Sequence, residues 1–125
     1  MKEYKMPTTK EEYIAEHRKM WNWIADESIK NHCKKNKLQY LRHIGVDPKS
    51  INTKCWMCDY ACKQTDDIEI VCEYCPLEWE KGNGEKVPYC CAYDDSLYYS
   101  FCSCSYKNYE YAAEIARRIA NLPSK

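Results

Sequence analysis

No run of eighteen apolar residues occurs in this chain, and its first thirteen residues, MKEYKMPTTKEEY, are charged where a secretion leader would need an apolar stretch. A membrane-spanning helix and a signal peptide are both unsupported, so the expectation is a protein of the cytoplasm with no membrane partner. Histidine is scarce. His17, His32 and His43 all precede the cysteine-rich region, and none falls in an H-E-x-x-H or H-x-E pattern. The P-C-x-x-C of zinc deaminases is missing as well, because here the proline follows the pair, as CEYCP. Catalytic zinc keeps a position open for water and recruits His or carboxylate ligands beside it. The expectation is therefore no enzyme, and histidines that are solvated or packed.

Apolar residues are also in short supply. Mean hydropathy is −0.79 and 30% of the 125 residues are charged, which allows one modest core in a single domain. Twelve tyrosines and four tryptophans offset part of the deficit. Net charge is zero but unevenly spread. Residues 1–54 carry twelve Lys/Arg against seven Asp/Glu, a balance of +5, whereas residues 55–104 carry three against ten, a balance of −7. The acidic half repels phosphate backbones.

What the chain has in abundance is sulfur. Ten cysteines are present, five of them within CWMCDYACKQTDDIEIVCEYCPLEW, residues 55–79. In a reducing compartment such a count points to metal before disulfides. Two C-x-x-C pairs present four thiolates as two tight knuckles, and zinc takes four such ligands tetrahedrally at about 2.3 Å. The leading ligand set is Cys55, Cys58, Cys72 and Cys75, with Cys90 or Cys91 able to replace one of them. A second zinc built from Cys62, Cys90 or Cys91, Cys102 and Cys104 is an alternative, as is the burial of these cysteines as small apolar side chains. Packing is the reading for Cys33, beside His32. An iron–sulfur cluster needs the contiguous C-x2-C-x2-C-x3-C-P run, which is absent. A thioredoxin-type redox pair needs a C-x-x-C that opens a helix in a βαβ setting, and the pattern offers no such setting.

Thr9 and Glu12 form a capping box, and Ile14, Met20, Trp21, Ile24 and Ile29 recur at helical spacing. The pattern predicts one helix over residues 10–31 with Trp21 and Ile24 on the core and Trp23 off the stripe, as an exposed aromatic. A shorter helix uses Leu38, Leu41 and Ile44, with Gly45 just past its end and Pro48 blocking continuation. The 52–104 part reads as short irregular pieces, including a strand at 68–71 and a turn at 81–86. A closing helix carries Tyr109, Ala112, Ala116, Ile119 and Ala120 on one face and ends before Pro123. The expected fold is mainly α, a small α+β chain in which helices at both ends (parts 9–45 and 106–122) pack around an irregular zinc-bound insert (52–104).

Taken in order, EHRKMWNWIADESIK, CWMCDYA, CEYCPLEW and AAEIARRIANLP resemble a family of small, cysteine-rich proteins of Firmicutes phages and prophages, of the C-x2-C…C-x2-C-P type. The resemblance spans most of the chain. It implies a bacterial host cytoplasm, an accessory phage gene, and zinc ligands at Cys55, Cys58, Cys72 and Cys75 with a later cysteine at 90 or 91. The extra cysteines at 62, 102 and 104 depart from that pattern, and no activity comes with the family. The functional expectation is a zinc-stabilised module that binds a host protein, an anti-defence inhibitor of anti-CRISPR-like kind. The rival expectation is a nucleic-acid-binding regulator using Arg18, Lys19, Lys30, Lys34, Lys35, Lys37 and Arg42, although a solvated helix face explains the same residues. The interleaved aromatics, among them Trp56, Tyr60, Tyr74, Trp79, Tyr98 and Tyr99, suit core packing or the centre of a protein interface. Oligomeric state is left open.

Overall fold

Thr9 and Glu12 start the first helix as their spacing predicts. The Thr9 hydroxyl accepts from the Glu12 backbone N–H at 3.1 Å, and the Glu12 carboxylate accepts from the Thr9 N–H at 3.1 Å. From this reciprocal cap α1 runs over Lys10–Asn31, and it ends where His32 takes a left-handed conformation at φ 53°. The structure is a computed structural model and describes residues 4–51, 55–67, 74–81, 83–86 and 96–124. The expected strand at 68–71 lies outside the described residues, as do Cys72, Cys90 and Cys91.

A second capping box, Asn36 with Gln39, opens α2 (Lys37–His43). Gly45 follows it at φ 80°, the left-handed conformation expected of a residue just past a helix end, which a side chain would strain. Asp47 then caps a single 3-10 turn, Pro48–Ser50, in which Pro48 sits at the N-terminal position. Three further helices follow: α3 (Trp56–Gln64), α4 (Leu97–Ser103) and α5 (Tyr109–Ala120). The fold is mainly helical, and among the described residues β-structure is limited to the isolated bridges Leu77–Ser124, Glu80–Lys86 and Lys81–Ser96. The expected irregular character of part 52–104 therefore needs correction, since α3 and α4 both fall inside it. The turn at 81–86 is present: Lys81 N–H donates to Glu85 O at 2.8 Å, and Gly84 N–H donates to Lys81 O at 2.9 Å.

The core lies between α1 and α5, with α3 and α2 against α1 and α4 against α5. Met20, Trp21, Ile24 and Ala25 from α1 meet Ala112, Ile115, Ala116 and Ile119 from α5, all fully or nearly fully buried. Alanines on α5 let the helices approach closely, and one apolar cluster runs from Tyr13 to Leu122. Trp21 stands edge-on to Phe101 at 4.9 Å and to Tyr98 at 6.0 Å, which ties α4 to the same core. Two expectations for α1 need correction. Ile29, placed on the stripe by periodicity, is 47% exposed because the core ends one turn earlier. Trp23, placed off the stripe, is half-buried: its ring stacks on His43 at 5.2 Å and meets Tyr40 edge-on at 5.5 Å, so α2 supplies a second contact face.

Two polar devices fasten the elements. Tyr13 on α1 donates its hydroxyl to Asp59 Oδ2 on α3 at 2.9 Å, and Lys63 Nζ reaches both groups, at 2.6 Å from Tyr13 Oη and 3.1 Å from Asp59 Oδ2. Asp59 is buried, so this pairing offsets a desolvation cost that an isolated carboxylate would bear. The second device is Lys34, only 8% exposed. Its ammonium donates to the carbonyls of Phe101, Cys102 and Cys104 at 2.7, 3.3 and 2.8 Å and lies 4.7 Å from the Phe101 ring centre. The C-terminal carbonyls of a helix lack intrahelical partners, and a cation there satisfies them and complements the dipole.

Candidate functional site: the cysteine face of α3 and the tyrosine groove

Cys55 occupies the N-cap of α3 in an extended conformation (φ −132°, ψ 122°), and Cys58 is the third residue of the helix. At these two positions the side chains turn toward each other, the geometry by which a capping box works. Unlike Thr9 and Asn36, Cys55 makes no side-chain hydrogen bond to the helix N-terminus. Its sulfur faces the Cys58 thiol instead. That thiol against it, together with burial, pushes the Cys55 thiol well above its ordinary range, while the nearby Lys37 ammonium opposes the shift. Cys62 lies one further turn along the same face, and burial, reinforced by Cys58 and Asp59, pushes its thiol up too. The expected knuckle at 55–58 is thus the first turn of a helix. One of the two conditions of a thioredoxin-type pair, a C-x-x-C that opens a helix, is met after all.

Cys75 has different neighbours. It is buried, and Trp79 Nε1 donates to its sulfur at 3.4 Å. The segment carrying it is strapped to the chain end through Glu78 N–H to Pro123 O at 2.8 Å, with Leu77 bridged to Ser124. Among the described residues no three Cys, His, Asp or Glu side chains come together as a metal-holding group. Of the expected ligands, the structure brings Cys55 to Cys58 and gives Cys75 separate surroundings, while Cys72, Cys90 and Cys91 fall outside the described residues. Of the described cysteines assigned to a second zinc, Cys104 donates to Asn108 O at 3.2 Å at the end of α4, and Cys102 is exposed. Cys33 is half-buried, with its thiol directed at Lys34 O at 3.8 Å.

Of the three histidines, His17 is packed in the core, while His32 and His43 are exposed. His17 is fully buried, with Nε2 donating to Ile119 O at 3.1 Å; the carbonyl can only accept, so the proton sits on Nε2. Its Nδ1 has no partner among the described residues, and burial lowers its pKa to about 4, so the ring is neutral. His32 leans on Tyr109 at 5.2 Å and His43 stacks on Trp23.

Several of the basic residues proposed for nucleic acid have partners within the chain, while Lys30 and Arg42 are exposed. Lys34 is consumed inside the fold, Arg18 Nη2 donates to Leu122 O at 3.3 Å, Lys19 pairs with Glu16, and Lys37 lies 4.5 Å from the Tyr98 ring centre. The contacts of Lys34, Arg18 and Lys37 arise from tertiary packing and leave no mark in a charge count.

Sequence reasoning missed a groove of about 400 Å³ where α4 turns into α5. Tyr99 and Tyr111 flank it, and Ser100, Ser103, Ser105 and Asn108 line it, with Cys104 completing the wall. None of these lining residues is charged. Tyr99 is 50% exposed, Tyr111 45%, and Tyr106, in the same turn, 61%. The signal was present in YYSFCSCSYKNYEY, where tyrosine alternates with small polar residues, and the helical wheel of α5 sets Tyr111 away from its alanine face.

No family model, curated protein or solved structure matches this chain. Function is accordingly argued from its own residues.

Proposed function

We propose that this chain is a protein-binding module stabilised by zinc, an accessory phage or prophage product that acts non-catalytically in the host cytoplasm by docking on a host protein of a defence system. The tyrosine groove at the α4–α5 turn is the observation that carries the binding reading. Tyrosine gives large contact area at low entropic cost, while serine and asparagine supply adaptable hydrogen bonds, and binding surfaces favour that mixture. A lining free of charge fits a protein surface better than a phosphate backbone, which would demand cations.

Zinc rests on the sequence pattern of Cys55, Cys58, Cys72 and Cys75, with Cys90 or Cys91 in reserve, and on the Cys55–Cys58 pair held in the first turn of α3. Two thiols already face to face need little rearrangement to accept one ion. One equivalent is the base reading, and a second, using the cysteines at 62, 102 and 104, belongs to the same proposal.

The test combines two measurements on the full chain. Elemental analysis of purified, untagged protein should find zinc and no iron; its absence removes the metal from the reading. A photo-crosslinking residue at Tyr106 should capture a host protein that the same residue at Ile29, exposed but outside the groove lining, does not. Tyr99→Ala with Tyr111→Ala should abolish that capture while circular dichroism stays unchanged. Equal capture from both positions, or salt-dependent binding of duplex DNA in its place, would overturn the protein-binding reading.

A further inference from the structure

Three of the helices among the described residues begin with an N-cap residue and a residue three positions further on that face each other across the first turn. In α1 the pair is Thr9 and Glu12, in α2 it is Asn36 and Gln39, and both make reciprocal hydrogen bonds to the backbone. In α3 the same two positions hold Cys55 and Cys58, and their two thiols lie against each other. Nothing in the structural role of a cap calls for cysteine there, since Ser or Asp at the N-cap would serve better. What two thiols at these positions can do, and the other caps cannot, is bond to each other. An N-cap residue and the third helical residue lie within the Cα separation that a disulfide spans, and the extended backbone of Cys55 leans its side chain over the turn.

We propose that Cys55 and Cys58 are a redox-active dithiol, closed by hydrogen peroxide into a disulfide across the first turn of α3. Cys58 is half-buried and takes the oxidant; Cys55 is 6% exposed and acts as the resolving thiol. The Cys58 sulfur attacks one peroxide oxygen, an S–O bond forms, the O–O bond breaks and one water leaves. The Cys55 sulfur then attacks the Cys58 sulfenic acid, the S–S bond forms, the S–O bond breaks, and the Cys55 proton departs with the second water. Two thiols are oxidised by two electrons and one peroxide is reduced to two waters. Lys37, close to Cys55, places a positive charge beside the pair. Cys62 competes poorly, because both it and Cys58 lie inside the regular helix and neither has the extended N-cap backbone. A further consequence rests on the zinc reading above: the disulfide removes two thiolates from the metal, so oxidation releases it.

The full-length protein as purified is treated with hydrogen peroxide, then blocked with N-ethylmaleimide and digested with trypsin. Cys55, Cys58 and Cys62 all fall in the single peptide CWMCDYACK. Fragmentation of that peptide should locate a disulfide between the first two cysteines, reversed by dithiothreitol, with Cys62 alkylated. A zinc-sensitive dye should report metal release at the same rate as the disulfide forms. Cys62→Ser should leave the disulfide between Cys55 and Cys58 unchanged, which keeps the test valid even if Cys58→Ser fails to fold. Disulfide formation in a protein that never held zinc supports the dithiol and removes the metal reading. Zinc present, with oxidation falling on Cys102 or on a Cys58–Cys62 link, overturns the dithiol and leaves the metal reading intact.

Discussion

His17 shows how one buried side chain writes a pH dependence into the whole fold. The ring sits among Trp21, Trp79 and the α5 terminus, and its one hydrogen bond, Nε2–H to Ile119 O, needs only the neutral form. Burial lowers its pKa from the ordinary 6.5 to about 4. Above pH 6.5 the ring is neutral in folded and unfolded chains alike, and nothing is lost. As pH falls from 6.5 toward 4 the unfolded chain takes up a proton that the folded chain refuses, and stability drops by about 3 kcal/mol. Urea denaturation at pH 7, 5.5 and 4.5 should show this slope, and His17→Gln, which keeps an N–H for Ile119, should flatten it. Glu12 acts in a separate, more acidic window. The Thr8 hydroxyl first, then the Thr8 and Thr9 backbone N–H groups, hold its carboxylate at about 2, so its contribution is lost only as pH falls below about 4.5. A His17→Gln profile identical to wild type between pH 6.5 and 4 would show that the ring is not buried neutral.

At the scale of the elements, the helices that the sequence announces are those whose caps and stripes are local. Thr9 with Glu12 and the apolar spacing place α1 at its observed ends, and Gly45 stops α2 where a left-handed residue is needed. The repeated alanines and Ile119 give α5. α3 was hidden because its N-cap is a cysteine and its spacing reads equally well as a metal knuckle, and α4 because its seven residues are mostly aromatic and polar. The groove was hidden for a related reason: Tyr99 and Tyr111 belong to different helices, and only the α4–α5 turn brings them to one opening. Lys34 was read as part of a solvated basic face and is instead the fastener between the segment after α1 and the end of α4. Its three carbonyl partners come from residues 67 to 70 positions away, a contact no local pattern encodes. Lys34→Met keeps the aliphatic stem and removes the ammonium. The variant should lose about 2 to 3 kcal/mol, read as a lower midpoint in urea, since hydrogen bonds to a charged group are worth more than neutral ones. Hydrogen exchange should rise first at 101–106. A variant as stable as wild type would mean that water replaces the ammonium at no cost.

For the whole molecule, the balance between its two lobes decides what metal removal should do. α1 and α5 bury their faces on each other directly, through Trp21, Ile24, Ala116 and Ile119, and owe nothing to sulfur. α3 and the strap around Cys75 add Trp56, Leu77 and Trp79 to the same cluster, but their remaining support is a short helix, a few bridges and the Tyr13–Asp59–Lys63 network. Under the zinc proposal this second lobe draws folding free energy from the ion, so a chelator should act unevenly. EDTA treatment should lower the melting midpoint by about 10 °C, which at this chain length corresponds to a few kcal/mol. Exchange protection should vanish in peptides from 55 to 81 and persist in α5. Cys58→Ser should reproduce the pattern without chelator, because a hydroxyl in place of the thiolate removes one of four ligands. A uniform loss of protection over both lobes would show a single cooperative unit, and an unchanged midpoint after verified metal removal would end the structural role of zinc. The uneven outcome would place the metal beneath α3, and α3 meets the rest of the chain chiefly through α1, leaving the tyrosine groove on α4 and α5 able to bind when the metal lobe is open.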